Sequence, residues 1–186
     1  MDIKRTAKLL EEWGFVAYTY FNEECTKERV VREIIRVTSD MTAKDRLVIY
    51  ISCHGGQLPD KNGDEEDGFD ETICLWDGQL VDDSLMDIWN EIPKGIDVVF
   101  ITDSCNSRTN FKMRPRSIRR SVPVIFSGSL IHMAGCDDGK SSYGGDDGGV
   151  FTNALLEKAD GKLSWTEWFN EAKAIMPRNQ MPFIEP

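Results

Sequence analysis

Two short apolar runs constrain this chain more than anything else in it. The first is Leu47-Val-Ile-Tyr-Ile-Ser-Cys-His54-Gly55, and the second is Ile96-Asp-Val-Val-Phe-Ile-Thr-Asp103-Ser-Cys105. Both are rich in β-branched residues and bounded by polar or turn-forming ones, the pattern of a strand buried in a parallel sheet. Each also stops on a side chain with chemistry of its own. In open α/β sheets, reactive and binding groups collect beyond the carboxyl ends of the strands. One strand therefore carries a histidine to that rim and the other a cysteine. A thiol beside an imidazole is the smallest apparatus for nucleophilic acyl transfer.

Helical spacing fills the intervals. Ile3, Ala7, Leu10 and Trp13 share one face and predict a helix over residues 1–13, stopped by Gly14. Phe15-Val-Ala-Tyr-Thr-Tyr20 is expected as a strand. Thr26 is placed to cap a second helix with Val30, Ile34 and Val37 as its stripe. Leu85, Ile88, Trp89 and Ile92 restart the helical period after Val81, with Asp82 or Asp83 as cap, until Pro93-Lys-Gly breaks it. Val122-Pro-Val-Ile-Phe-Ser127 reads as a further strand and Val150 to Lys158 as a short helix. Ser164-Trp-Thr-Glu167 is a capping box opening a last helix toward Met176. Residues 60–71, 108–120 and 137–149 read as loops, and the Pro-marked tail as extended chain. This alternation predicts an α/β fold, a mainly parallel central sheet with helices on both faces. A chain of 186 residues favours one domain, over 1–186.

Charge narrows the partners. The balance of 22 basic and 32 acidic residues gives a formal net charge of -10. That disfavours nucleic acid, which needs a basic face, and suits cationic substrates or divalent cations. Five cysteines without paired spacing, and no signal peptide or long apolar segment, point to a soluble protein of the reducing cytosol and to no membrane partner. No cysteine or histidine spacing suggests a zinc site.

With these pieces together the sequence resembles the metacaspases, in the caspase-like group of cysteine peptidases. The resemblance rests on Ser52-Cys-His54-Gly55, the acidic stretch ending in Asp70-Glu71, Val81-Asp82-Asp83, Thr102-Asp103-Ser-Cys105, Ala134-Gly-Cys-Asp-Asp138 and Gly149-Val-Phe-Thr152-Asn-Ala-Leu-Leu156. It implies a caspase-like sandwich in which Cys105 is the nucleophile and His54 handles protons. It further implies that the backbone N–H groups of Gly55 and Cys105 hold the oxyanion, and that Ser52 and Asp103 line the pocket for the residue before the cut. Period-two alternation alone puts Ser52 on the side of His54 and Asp103 on the side of Cys105. A carboxylate in that pocket selects Arg or Lys, so the expected partners are proteins or peptides with Arg or Lys before the scissile bond. The family commonly needs calcium, for which Asp70, Asp82 and Asp83 are the candidates, hard oxygen ligands that suit the ion. By resemblance the protein is a monomer.

Several positions keep two readings. The family begins with a strand and a loop ahead of the first helix, where this sequence starts at that helix. The alternative to a peptidase is therefore a non-catalytic caspase-like scaffold or interaction module. Where the family has Cys-His-Ser-Gly, this chain has Cys105-Asn-Ser-Arg108, and Phe111-Lys112-Met113 stands where a further calcium ligand usually lies. The basic residues from Arg108 to Arg120 are either a solvated loop or sites of self-cleavage. Asp103 is either the pocket acid or a residue that orders a loop. His132 and Cys136 are expected to be structural. Asp60, Asn62, Asp64 and Glu71 mimic an EF-hand loop, but Glu65 replaces its obligatory glycine.

Overall fold

The structure, a computed structural model, describes residues 1–61, 63, 68–105, 107, 128–137 and 140–185, with Asp83 and Met86 described by their backbone alone. The elements in order are α1 (Asp2–Glu12), α2 (Lys27–Thr38), β1 (Arg46–Ser52), β2 (Gly55–Pro59), β3 (Phe69–Leu75), β4 (Gly78–Val81), α3 (Asp82–Glu91), β5 (Asp97–Asp103), β6 (Leu130–Ala134), β7 (Gly144–Gly145), β8 (Gly148–Gly149), α4 (Val150–Glu157), α5 (Trp165–Ile175) and β9 (Phe183–Glu185). The central sheet has the order β1-β5-β6-β9, parallel throughout except for β9. A three-stranded antiparallel sheet, β2-β3-β4, branches from the end of β1.

Strand β5 explains the layering. Its successive side chains alternate between the two faces of the sheet, as strand geometry requires. Val98 and Phe100 enter a core with Ile34 of α2 and Leu85, Ile88 and Trp89 of α3. Val99 and Ile101 enter a second core with Phe151 and Leu155 of α4 and Trp168 and Phe169 of α5. Helix α1 closes that second core with Trp13, stacked edge-on against Trp165 and Trp168. Both helical faces and the mainly parallel sheet are as the periodicity predicts. The caps at Thr26 and Ser164 also form, the latter as a full capping box.

Other expectations need correction. Phe15–Tyr20 joins no ladder among the described residues. Helix α2 holds it through side chains instead: Arg36 lies 4.7 Å over the Tyr18 ring, Arg29 4.7 Å over the Tyr20 ring, and the Tyr20 hydroxyl donates to Glu33 at 2.9 Å. Neither Asp82 nor Asp83 caps α3. Strand β4 runs straight into the helix, so extended Val81 takes the cap position and Asp82 becomes the first helical residue, fully buried. The sheet β2-β3-β4 is unanticipated because Gly55, Gly56, Pro59, Asp70 and Glu71 are poor strand formers held by pairing rather than propensity. Part of the 137–149 loop is the β7–β8 ribbon, and part of the tail is β9. The strand expected at 122–127 and the basic stretch 108–120 lie outside the described residues. His132 instead sits on the unanticipated β6, buried, with its Nε2 3.0 Å from Thr102 Oγ1 and its ring stacked on Phe100.

Candidate active site

The pairing of β1 with β5 sets the geometry. Ser52 stands opposite Asp103, and the Cys53 N–H donates to the Asp103 carbonyl at 3.4 Å, so the two chains leave the sheet side by side. His54 and Cys105 each follow two residues later. Gly55 then turns the chain into β2 directly against the backbone of Cys105. A Cβ at Gly55 would collide with the Cys105 carbonyl oxygen, so only glycine permits this approach. Gly55→Ala is expected to force the two strand ends apart at a cost of roughly 1–3 kcal/mol. A denaturation midpoint equal to that of the unaltered protein would show that the close approach does not hold.

Of the five free cysteines, Cys105 has the surroundings of a reactive one. It is partly exposed, and its Sγ accepts the Ser142 N–H at 3.4 Å. Burial pushes the Cys53 thiol up to about 12 and raises that of Cys25 as well, so both stay protonated and unreactive. Cys136 is buried, and its thiol donates to the Ser104 carbonyl at 3.2 Å beneath the turn that carries Cys105. His54 is exposed, while its carbonyl accepts the Cys74 N–H at 2.9 Å and ties the strand end to β3.

Two buried carboxylates lie near these strand ends. Asp103, 5% exposed, accepts the Ser142 hydroxyl on Oδ1 at 2.6 Å. On Oδ2 it accepts both the Thr152 N–H at 3.0 Å and the Thr152 hydroxyl at 2.6 Å. Thr152 has thus given its proton away, so the Tyr50 hydroxyl, 2.6 Å from Thr152 Oγ1, is the donor of that pair. Burial raises the Tyr50 phenol, which keeps that proton in place. One oxygen of Asp103 therefore caps the first turn of α4 and the other holds Ser142. The second carboxylate is Asp2, which the sequence reading passed over as a helix start. Its Oδ2 accepts the Gly149 N–H at 2.9 Å and the Ser52 hydroxyl at 3.3 Å, while its buried Oδ1 has no hydrogen-bond partner among the described residues. Gly149 is wedged between the two, since a Cβ there would strike Asp103. Among the described residues the partners of both carboxylates are hydroxyl and amide groups, none of them cationic. The only signal for Asp2 in the sequence is an acid in the first turn of a helix, which is ordinary.

The structure thus gathers Ser52, His54, Gly55, Asp103 and Cys105 at one rim and adds Asp2, Ser142 and Thr152. The acidic residues assigned to calcium lie elsewhere. Asp70 is on β3, three positions along the ladder from the Gly55–Ile73 pair, and the β3–β4 register brings Asp70 and Glu71 toward the start of α3. Asp70 and Asp82 are both buried, and the side chain of Asp83 lies outside the description. Buried carboxylates demand a compensating charge or hydrogen bonds, and the oxygen chemistry fits a hard cation. Among the described residues, however, no three candidate ligands converge into a cage.

Comparison with known proteins places the chain in a family. The model of the metacaspase peptidase C14 domain matches residues 9–114, a span that includes His54, Asp103 and Cys105. Metacaspase-1B of Aspergillus fumigatus is 33% identical over 144 residues, covering 72% of this chain and 35% of the relative. Metacaspase-1 of Arabidopsis thaliana is 32% identical over 139 residues, covering 63% and 37% respectively. The chain thus spans about a third of the length of these relatives. A structural-genomics protein from Geobacter sulfurreducens superposes with a TM-score of 0.83 at 27% identity, over 99% of this chain and 81% of that one. Caspase-1 from Spodoptera frugiperda superposes with a TM-score of 0.69 at 17% identity, over 99% and 76%, a likeness of fold alone.

The layered sheet has a caspase-like α/β fold. Within that class, the chain belongs to the metacaspase family of cysteine peptidases.

Proposed function

We propose that this chain is a cysteine endopeptidase that cuts proteins after Arg or Lys through a Cys105–His54 pair. The observation that supports it most is the register of β1 and β5, which sets both reactive residues at one rim beside the carboxylates of Asp2 and Asp103. In this reading Cys105 gives its thiol proton to His54 as its Sγ attacks the scissile carbonyl carbon, and the C–N bond breaks as His54 passes that proton to the leaving amine. Water then hydrolyses the thioester with His54 as base. The N–H groups of Gly55 and Cys105 are the candidate oxyanion donors. The basic side chain before the cut would enter between Asp103, Asp2 and Ser52, where two carboxylates offer it charge-assisted hydrogen bonds.

Calcium belongs to the same proposal. Asp70, Asp82 and Asp83 would hold the ion, which supplies positive charge that lets the buried acids of β3 and α3 pack together. Its test is also the test of the function: hydrolysis of fluorogenic peptides ending in Arg, Lys or Asp, with calcium and with chelator. The expected result is cleavage after Arg and Lys only, at least tenfold slower under chelator. Cleavage after Asp alone would overturn the pocket, and equal rates with chelator would overturn the calcium dependence. No cleavage at all would favour a scaffold. Bands shortened within 108–120, and absent when Cys105 is replaced, would mark self-processing. Unpaired thiols suit a reducing cytosol as the working compartment.

A further inference from the structure

The C-terminal tail sends one buried polar side chain back into this site. Gln180 is 2% exposed, and its side chain makes three hydrogen bonds, all to residues 135–143 beside Asp103 and Cys105. Its Oε1 accepts the Tyr143 N–H at 3.1 Å, and its Nε2 donates to the Gly135 carbonyl at 2.9 Å and to Ser142 Oγ at 3.0 Å. The orientation of the amide is dictated, because a backbone N–H can only donate and a carbonyl can only accept. With Nε2 donating to it, the Ser142 hydroxyl must direct its own proton elsewhere, and it does so onto Asp103 Oδ1. The Ser142 N–H meanwhile points at Cys105 Sγ. Gly135, the other end of the grip, packs against Asp103 so closely that a Cβ there would lie 3.1 Å from Oδ1. Gln180 therefore fastens both sides of Asp103 and the Ser142 amide that meets the sulfur.

We propose that Gln180 is a positioning residue, acting through Ser142 to aim a hydrogen-bond donor at the Cys105 thiolate and to orient the carboxylate of Asp103. The inference rests on the peptidase reading for its purpose. Residues 140–143 are joined to the sheet by the loop, the short β7–β8 ribbon and these bonds, and buried polar groups of such a network hold it in one arrangement. A thiolate accepting an N–H is favoured over the thiol. Releasing Ser142 should therefore make Cys105 harder to ionise.

The test is the pH profile of Cys105 alkylation by iodoacetamide, followed by mass spectrometry in the full chain. Gln180→Met keeps the volume and removes all three bonds. Its alkylation midpoint should rise by roughly half a pH unit or more, while Asn179→Met, at an exposed neighbouring position of the tail, should leave it unchanged. Among the described residues the charged groups on the elements around Cys105 are His54 beyond β1, Asp103 on β5, Asp2 on α1, and Asp137 and Lys140 flanking the segment, and neither substitution adds or removes a charge. Ser142→Ala should move the midpoint in the same direction, and the double variant no further than the larger single one, as expected of residues acting through one path. A midpoint for Gln180→Met within about 0.1 unit of the unaltered protein, or shifts that add, would overturn the proposal. Should Gln180→Met fail to fold, hydrogen exchange on the unaltered protein decides. The Tyr143 amide should be protected, and exchange at the rate of an exposed amide would overturn the proposal. Alkylation needs no peptide turnover, so a protein silent toward peptides would fail the function without touching this assignment. With active enzyme, Gln180→Met should also lower kcat/KM on an Arg peptide by about 10–100-fold.

Discussion

Cys105→Ala is expected to fold like the unaltered protein and to hydrolyse no peptide measurably, a loss of roughly 10⁴–10⁶ in kcat/KM. Three of the other four thiols are poor substitutes. Among the remaining thiols, Cys53 and Cys25 are held protonated by burial, and Cys136 is sealed under the turn with its hydrogen engaged. Stability should change little, by about 1 kcal/mol or less, since the thiol is partly exposed and accepts a single long N–H bond. His54→Ala should cost about 10²–10⁴, the worth of one general acid–base group. Because the two act as a unit, the double variant should be no slower than Cys105→Ala alone. Peptide turnover and thermal melting measured on one preparation separate lost chemistry from lost fold. Turnover by Cys105→Ala at even a hundredth of the original rate would place the nucleophile elsewhere.

The meeting of His54 and Cys105 at neighbouring strand ends was legible because strand-end placement survives translation into one dimension. An apolar run long enough to span a sheet, ending in His54 or Cys105, fixes where those side chains emerge, and the β1–β5 register adds only which strands are neighbours. The period-two argument for Ser52 and Asp103 rests on equally local geometry. What stayed hidden was set by distant contacts. Asp2 joins the site from 101 positions before Asp103, and Gln180 from 38 beyond Ser142, through hydrogen bonds that no periodicity encodes. The β2-β3-β4 sheet was hidden for another reason. Its residues carry little strand propensity, and its pairing is imposed by the turn at Gly55 and by Thr72, Ile73 and Leu80 packing inward. Phe15–Tyr20 erred the opposite way, with strand propensity but no described ladder to join.

Asp103→Asn carries the second large effect, and it separates the two readings that the sequence leaves open for this residue. One oxygen of Asp103 caps α4 through Thr152, and the other holds Ser142. Asparagine can still present its oxygen to Thr152 and its amide to Ser142 Oγ, so the cap should weaken by only about 1 kcal/mol. The negative charge is lost outright. Removing one partner of a buried, hydrogen-bonded charge pair costs about 2–5 kcal/mol, so kcat/KM for Arg and Lys peptides should fall roughly 30- to 4,000-fold. A matched peptide bearing citrulline in place of Arg, equal in shape but neutral, should be cut by the variant at nearly its original slow rate. The ratio of Arg to citrulline cleavage should therefore collapse. Asp2→Asn should lower the same ratio by less, because Asp2 reaches the pocket behind Ser52 and keeps its bond to Gly149. If Asp103 served only α4, Asp103→Asn would lower the melting temperature, slow both peptides alike, and leave the ratio where it was.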